Sequence, residues 1–268
     1  MIHHIDKITD KRVSLYTEYN EPQLYHCNEP ERGVFIAETP MVIGRALESG
    51  AVPLSFFVES SALENEDVKY ILKKAGDVPI FEAELSVINS ITGFNLTRGM
   101  LAAFTRPEEP DVEAILDGRK KIIVLEDIVN PTNVGAIFRC AAALGADGIL
   151  LTRGCTDPYY RRSARVSMGS VFMIPWTYIP KGSDFINILH ERGFTVISMA
   201  LSDDAGILTD PVLLKNDRRA VVFGSEGDGL SEKTLADSDH IATIPMKNGV
   251  DSLNVAAASA IAIWELCK

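Results

Sequence analysis

The sequence predicts an α/β protein of two domains, a C-terminal domain built on a parallel sheet and a smaller N-terminal α/β domain. Three observations predict it. Beyond residue 120, short apolar runs alternate with amphipathic or Ala-rich stretches, strand then helix in repeated order. That order is the pattern of a parallel sheet covered on both faces. A Pro- and acid-rich stretch, TRPEEPDVEAILDGRK (105–120), separates it from a shorter αβαβ region and has the composition of a linker. Charge divides at the same place: residues 1–118 carry about 10 basic and 20 acidic side chains, residues 119–268 about 16 and 17. The expected boundaries are 1–110, a linker over 111–120, and 121–268.

The elements follow in order. Residues 1–30 are polar and irregular, with room for a helix and a loop. In GVFIAETPMVIGRALESG (33–50), Met41, Ile43, Ala46 and Leu47 fit one helix face and Gly50 ends it. PLSFFVES (53–60) suits a buried strand. EDVKYILKKAG (66–76) is amphipathic, with Val68, Ile71 and Leu72 opposite Lys69, Lys73 and Lys74. VPIFEAE, a helical ELSVINSITG and GMLAAFTR complete the first domain. In the second, KIIVLEDI (121–128) is a buried strand, VGAIFRCAAALGA (134–146) a helix and DGILLT (147–152) a strand. A short helix over 163–168, a strand over VFMIPW (171–176), a helix over DFINILHERG (184–193) and a strand over FTVISMAL (194–201) come next. RRAVVFG (218–224) and HIATIPM (240–246) read as strands around a helix in LSEKTLADS, and SLNVAAASAIAIWELC (252–267) as a strongly apolar last helix.

Composition excludes several classes. Hydrophobic residues at 46% and charged residues at 24% are ordinary for a globular protein, enough for a real core. The longest apolar runs, such as 255–264, fall far short of the ~20 residues of a membrane span, and MIHHIDKITDKR has no apolar signal core. No membrane partner and a cytoplasmic location are expected. The four Cys form no CxxC pair, so neither a disulfide framework nor a zinc site is expected. The His residues likewise suggest no metal. A net charge of −11 speaks against coating nucleic acid through bulk positive charge.

Three strand-to-helix loops carry the candidate chemistry, because the carboxyl edge of an open α/β sheet is where ligands bind. In NPTNVGAIFR (130–139), Pro131 fixes a turn, Asn133 is suited to cap the next helix and Arg139 stands on an otherwise apolar helix. A capped helix with one snorkelling Arg explains the same residues. FGSEGDGLS (223–231) has three glycines that let backbone lie against a ligand, with Glu226 among them. It is neither a dinucleotide fingerprint nor a phosphate loop, and a tight turn is its plain alternative. In IPMKNGVDSLNVAAASA (244–260), Ser252 is suited to cap the last helix and Asn254 falls in its first turn, where capping explains it less well. A fourth stretch, RGCTDPYYRRSARVSMGS (153–170), gathers Arg153, Arg161, Arg162 and Arg165 beside Tyr159 and Tyr160. Guanidinium groups with aromatic rings suit phosphate contact and base stacking; a solvated surface loop is the alternative.

Taken together, NVGAIFR (133–139), FGSEGDGLS (223–231) and IPMKNGVDSLNVAAA (244–258) resemble the three motifs of the SpoU branch (TrmH type) of the SPOUT RNA methyltransferases. GVFIAETPMVIGRALESG and TRGMLAAF more weakly resemble that family's N-terminal substrate-binding domain, akin to a small ribosomal-protein RNA-binding fold. The resemblance implies a C-terminal SPOUT domain with a deep trefoil knot, an unusual threaded connection. It implies S-adenosylmethionine as cofactor, contacted by Gly224, Ile244 and Leu253 with Gly229 and Met246 close by, and a homodimer with the active site at the subunit interface. The implied reaction is methyl transfer to a ribose 2′-hydroxyl of RNA, ribosomal RNA first. Arg139 matches the family's catalytic Arg. A guanidinium stays protonated in proteins, so this residue is better suited to hold the target phosphate or ribose and favour the developing alkoxide than to take a proton. Asn133, Glu226, Ser252 and Asn254 would be the supporting polar groups. Transfer RNA as target and a non-catalytic RNA-binding module are the alternatives.

Overall fold

The computed structural model describes residues 2–92, 99–202 and 205–267, which divide into two units. Gly93, the expected end of a helix, and Thr97 and Arg98 of the TRGMLAAF stretch lie outside the described residues.

The first unit comprises Met1–Glu108 together with Tyr159–Met173. Its elements begin with β1 (Ile2–His4), α1 (Ser14–Thr17), α2 (Glu21–His26), β2 (Val34–Glu38) and α3 (Pro40–Glu48). Then come β3 (Pro53–Glu59), α4 (Glu66–Ala75), β4 (Ile80–Ala83), α5 (Leu85–Thr92) and β5 (Met100–Thr105). They form a five-stranded sheet ordered β1-β4-β3-β5-β2, in which β5 runs antiparallel to its neighbours. Strand alternation sends Val34, Ile36, Phe57, Leu101 and Ala103 to one buried face, where Val13, Tyr16, Leu24 and Ile88 cover them. Strand β1 is absent from the sequence reading: three residues are too few to show a period, and parallel pairing with β4 makes the strand.

The second unit comprises Glu109–Pro158 and Ile174–Lys268. It opens with α6 (Val112–Leu116), β6 (Lys121–Leu125), α7 (Pro131–Leu144) and β7 (Gly148–Leu151). The chain then contributes Tyr159–Met173, with α8 (Arg161–Val166), to the first unit. It continues through β8 (Trp176–Tyr178), α9 (Phe185–Glu191), β9 (Thr195–Met199), β10 (Gly206–Ile207) and β11 (Arg219–Phe223). It ends with α10 (Glu232–Asp237), β12 (His240–Thr243) and α11 (Val255–Leu266). The seven-stranded sheet is ordered β10-β12-β9-β11-β6-β7-β8, and every pair is parallel. The α/β class with a C-terminal parallel sheet is therefore observed.

Two expected features differ. The stretch 111–120, expected as a linker, holds α6: Val112, Ile115 and Leu116 share one helix face and are buried with Ile122, Val124 and Leu189. Pro and acid mark only its outer surface. VFMIPW does not form a strand. Ser170–Phe172 is a 3-10 turn, preceded by left-handed backbone at Met168 and Gly169, and β8 starts after Pro175. The cause is packing within the first unit. Phe104, Phe35, Tyr159 and Phe172 stack in succession at centroid distances of 5.2, 5.0 and 5.3 Å. Arg106 lies 4.3 Å above the Tyr25 ring and 5.2 Å from that of Tyr159.

Candidate active site

Three loops leave the carboxyl ends of β6, β11 and β12. After β6, Asp127 turns the chain at φ 54°, unusual for a residue other than glycine. The turn is tied by Asp127 N–H donating to Thr152 Oγ1 at 2.9 Å, whose hydroxyl donates to Asp127 Oδ1 at 2.6 Å. Cys155 closes the same corner: its Sγ donates to the Leu125 carbonyl at 3.2 Å and accepts from Ile128 N–H at 3.3 Å. Burial pushes its pKa up to about 11, so it remains a thiol. Helix α7 then starts at Pro131, and its cap is Asn130, which accepts from Thr132 N–H at 2.9 Å. The cap expected at Asn133 is corrected: Asn133 lies inside the first turn, buried, with its amide turned to other loops.

After β11, residues 224–230 fold back on themselves. Ser225 and Gly229 exchange backbone bonds at 3.1 and 3.2 Å, and Asp228 N–H donates to Ser225 Oγ at 3.2 Å. Gly229 takes φ +71°, and Gly224 abuts Gly229 so closely that no side chain fits there. After β12, Asn248 and Gly249 take φ 58° and 72° in succession and turn the third loop. Helix α11 is capped by Asn254, whose Oδ1 accepts from Ala256 N–H at 3.0 Å. The cap expected at Ser252 is corrected in turn: Ser252 lies on the exposed loop before the helix and makes no hydrogen bond among the described residues.

The three loops meet through side chains. Asn254 Nδ2 donates to Asn133 Oδ1 at 3.2 Å, and Asn133 Nδ2 donates to Glu226 Oε1. One residue from each loop thus joins a directed chain ending on a carboxylate. Arg139 stands on the exposed face of α7, without a hydrogen bond or ion pair among the described residues. Gly224 is buried, Ile244 and Met246 are half-buried, and Gly229 and Leu253 are exposed.

The four arginines divide. Arg153 pairs with Glu109 at 2.8 Å and lies 4.5 Å above the Tyr178 ring. In the first unit, Arg161 N–H donates to Glu21 at 3.0 Å, and Arg165 lies 3.5 Å from Glu38, whose carboxylate is buried. Arg162 is exposed and has no such partner among the described residues.

Sequence reasoning missed Glu126. It is 9% exposed, and its Oε2 has no hydrogen-bond partner. Its one signal was an acid directly after the buried run Ile122–Leu125. Sequence reasoning also missed a cleft of about 730 Å³ in the first unit, lined by Met41, Arg45, Glu48, Glu59, Tyr70 and neighbours. None of the predicted site residues lines it; the polar chain between loops, rather than this hollow, is where donors and acceptors converge. Among the described residues no group of three His, Cys, Asp or Glu side chains is placed to hold a metal ion. No described helix is long and apolar enough to cross a membrane.

Known proteins resemble this chain in sequence and in fold. The model of the SpoU rRNA methylase family matches residues 120–264. An uncharacterized tRNA/rRNA methyltransferase of Mycobacterium tuberculosis (strain H37Rv) is 37% identical over 235 residues, covering 87% of this chain and 81% of the relative. Among solved structures, an AdoMet-bound rRNA methyltransferase from Sinorhizobium meliloti superposes with a TM-score of 0.80 at 24% identity, covering 99% of this chain and 97% of that one. An RNA 2′-O ribose methyltransferase superposes with a TM-score of 0.79 at 22% identity, covering 99% and 98%. These structures share the fold. With its family model spanning over half of the sequence and a relative at 37% identity over most of it, the chain belongs to the SpoU rRNA methylase family.

Proposed function

We propose that the protein transfers the methyl group of S-adenosylmethionine to a ribose 2′-hydroxyl of ribosomal RNA. The observation that carries this reading is the chain Asn254–Asn133–Glu226, which draws the three family motifs into one polar site. The residues fit the cofactor: the close approach of Gly224 to Gly229, where a Cβ would stand 2.3 Å from the Gly229 carbonyl carbon, folds the glycine loop back on itself, and Glu126 Oε2 is a buried acceptor with no hydrogen-bond partner among the described residues. The backbone at Gly224, Ile244 and Leu253, with Gly229 and Met246 beside it, would hold adenosine. The solved S. meliloti relative carries AdoMet, which supports the same ligand for this chain.

The bound cofactor supplies a methyl group on a positively charged sulfur, so the carbon needs no further activation. The protein's part is to align the hydroxyl and favour its alkoxide. Arg139, exposed and without a hydrogen bond or ion pair among the described residues, would hold the target phosphate or ribose and offset developing negative charge. Asn133, Glu226 and Asn254 fix the loops, and Ser252 on its exposed loop is available to the nucleotide. Because Arg161 and Arg165 face acids, Arg162 is the freest of the basic stretch to touch RNA, with Arg153 placed behind Glu109. The first unit serves as the substrate domain, and its acidity predicts weak non-specific RNA binding with a shallow salt dependence.

The reading includes a homodimer. On α11, Ala257, Ile261 and Trp264 form an exposed stripe spaced as one helix face, with Ile261 43% and Trp264 65% exposed. Helix α11 packs on α7, which carries Arg139, so a second copy seated on this stripe lies close to that residue's helix.

Mapping 2′-O-methylation across total RNA, with and without the protein, tests the reading. A single ribosomal RNA ribose losing its methyl group in the deletion, restored by the wild type and not by Arg139→Ala, is expected. Full restoration by Arg139→Ala overturns the role of Arg139, and a lost mark on transfer RNA overturns the ribosomal target.

A further inference from the structure

Strand order singles out one place on the parallel sheet. From β6 the chain crosses through α7 to β7 on one side, and from β11 it crosses through α10 to β12 on the other. The connections therefore diverge between the carboxyl ends of β6 and β11, the switch point at which open α/β sheets accept ligands. Glu126 stands there. It follows the last residue of β6, and its N–H donates to the Phe223 carbonyl at 2.9 Å, one residue before Gly224 and the glycine loop.

The Glu126 carboxylate is unusual. The residue is 9% exposed, and Oε2 has neither solvent nor a hydrogen-bond partner. Ile122 and Val124, which precede it on alternate strand positions, pack in the same apolar cluster as Val222 and Leu230, the latter in the glycine loop. A buried acceptor oxygen with no donor is costly, and a donor or positive group that reaches it removes that cost. No described cation pairs with it: Arg153 is held by Glu109, and Arg139 forms no ion pair. Apolar walls also strengthen any charge that does arrive.

We propose that Glu126 is a positioning residue for the methyl donor, receiving the positive methionyl part of S-adenosylmethionine, its sulfonium or its ammonium. The proposal rests on the reading that this cofactor occupies the three loops. It assigns to the ligand the counter-charge that the chain itself withholds. Stability is given up at the switch point in exchange for a preference for a cation.

Three ligands separate the possibilities. S-adenosylmethionine carries both positive groups, S-adenosylhomocysteine only the ammonium, and 5′-methylthioadenosine neither. Calorimetric titration of each into wild type and Glu126→Gln, with thermal unfolding of both free proteins, tests the proposal. The free Glu126→Gln protein is expected to melt at or above wild type, because the Oε2 acceptor has no hydrogen bond to lose. Its affinity for S-adenosylmethionine is expected to fall about tenfold or more, while that for 5′-methylthioadenosine stays within about twofold. A parallel loss for S-adenosylhomocysteine identifies the ammonium as the partner, and an unchanged value identifies the sulfonium. The proposal is overturned by an unchanged affinity for S-adenosylmethionine, by an equal loss for 5′-methylthioadenosine, or by a variant that melts below wild type, which marks a structural carboxylate. Wild type binding none of the three overturns the reading of the site, and the proposal with it.

Discussion

Adding one methyl group at Gly224 is expected to damage stability and ligand binding together. A Cβ there stands 2.3 Å from the Gly229 carbonyl carbon, 2.4 Å from its oxygen and 2.6 Å from the Leu230 nitrogen, where ordinary contact begins at 3.4 Å. The deficit is about 1 Å, and all three atoms are backbone, so no side chain can swing aside. Relief requires opening the Ser225–Gly229 bridge, whose two bonds contribute about 1 kcal/mol each, and overpacking adds about 1–2 kcal/mol. Gly224→Ala is then destabilised by about 3–4 kcal/mol, or roughly 6–16 °C in melting temperature at this chain length. Gly227→Ala is the control, since a Cβ at Gly227 meets nothing within 4 Å. Its effect should stay within about 0.5 kcal/mol. Scanning calorimetry reads the stability, and titration with S-adenosylmethionine reads the loop, with at least about tenfold weaker binding expected for Gly224→Ala only, equal to about 1.4 kcal/mol. If the two variants behave alike in both measurements, the close backbone approach at Gly224 has no energetic meaning and the reasoning fails.

Arg219 is 3% exposed and donates to the carbonyls of Leu266 at 2.8 Å, Asn216 at 2.6 Å and Leu214 at 3.3 Å, so Arg219→Met strands three acceptors and should cost about 3 kcal/mol in urea unfolding. The thiols of Cys155 and Cys267, lifted by burial from 9.0 to about 11, set an alkaline limit. Below pH 9 both are protonated folded and unfolded. Between about pH 9 and 11 only the unfolded chain loses these protons, so stability should fall by about 2–3 kcal/mol per thiol, and Cys155→Ser with Cys267→Ser should flatten that part of the pH profile. The proposed homodimer predicts that wild type sediments as a dimer and Trp264→Glu as a monomer in sedimentation equilibrium, with little loss of monomer stability, since the ring is 65% exposed.

Much of the second unit was legible because its strands are buried on both faces. Runs such as Ile122–Leu125 and Ala220–Phe223 are uninterrupted, and strands form at both, the second within a residue of expectation and the first ending three residues before the expected 128. The misreadings share a different cause. The sequence reading put the caps at Asn133 and Ser252, whereas Asn130 and Asn254 take them; all four residues are Asn or Ser, types that cap helices. The choice is made elsewhere in the chain, because the Asn133 amide is taken by Asn254 and Glu226, residues distant in sequence. VFMIPW has strand composition, yet Phe172 is committed to a stack on Tyr159 and a tilted contact with Phe35. Of the basic stretch, the sequence showed four arginines but not their acids, since Glu21, Glu38 and Glu109 are far from them along the chain. Glu126 was missed for the opposite reason: an acid after a buried run is its one sequence signal, and its oddity is a missing partner, which depends on every group folded around it.

The two ends of one amide join folding to chemistry. Asn254 spends its oxygen on the Ala256 N–H that starts α11 and its nitrogen on Asn133. A helix that frays at its first turn therefore releases the site, and a ligand that steadies the site winds the helix. Slowed amide exchange at the start of α11 should report a ligand in the proposed site, because the cap Asn254 is tied to that site through Asn133.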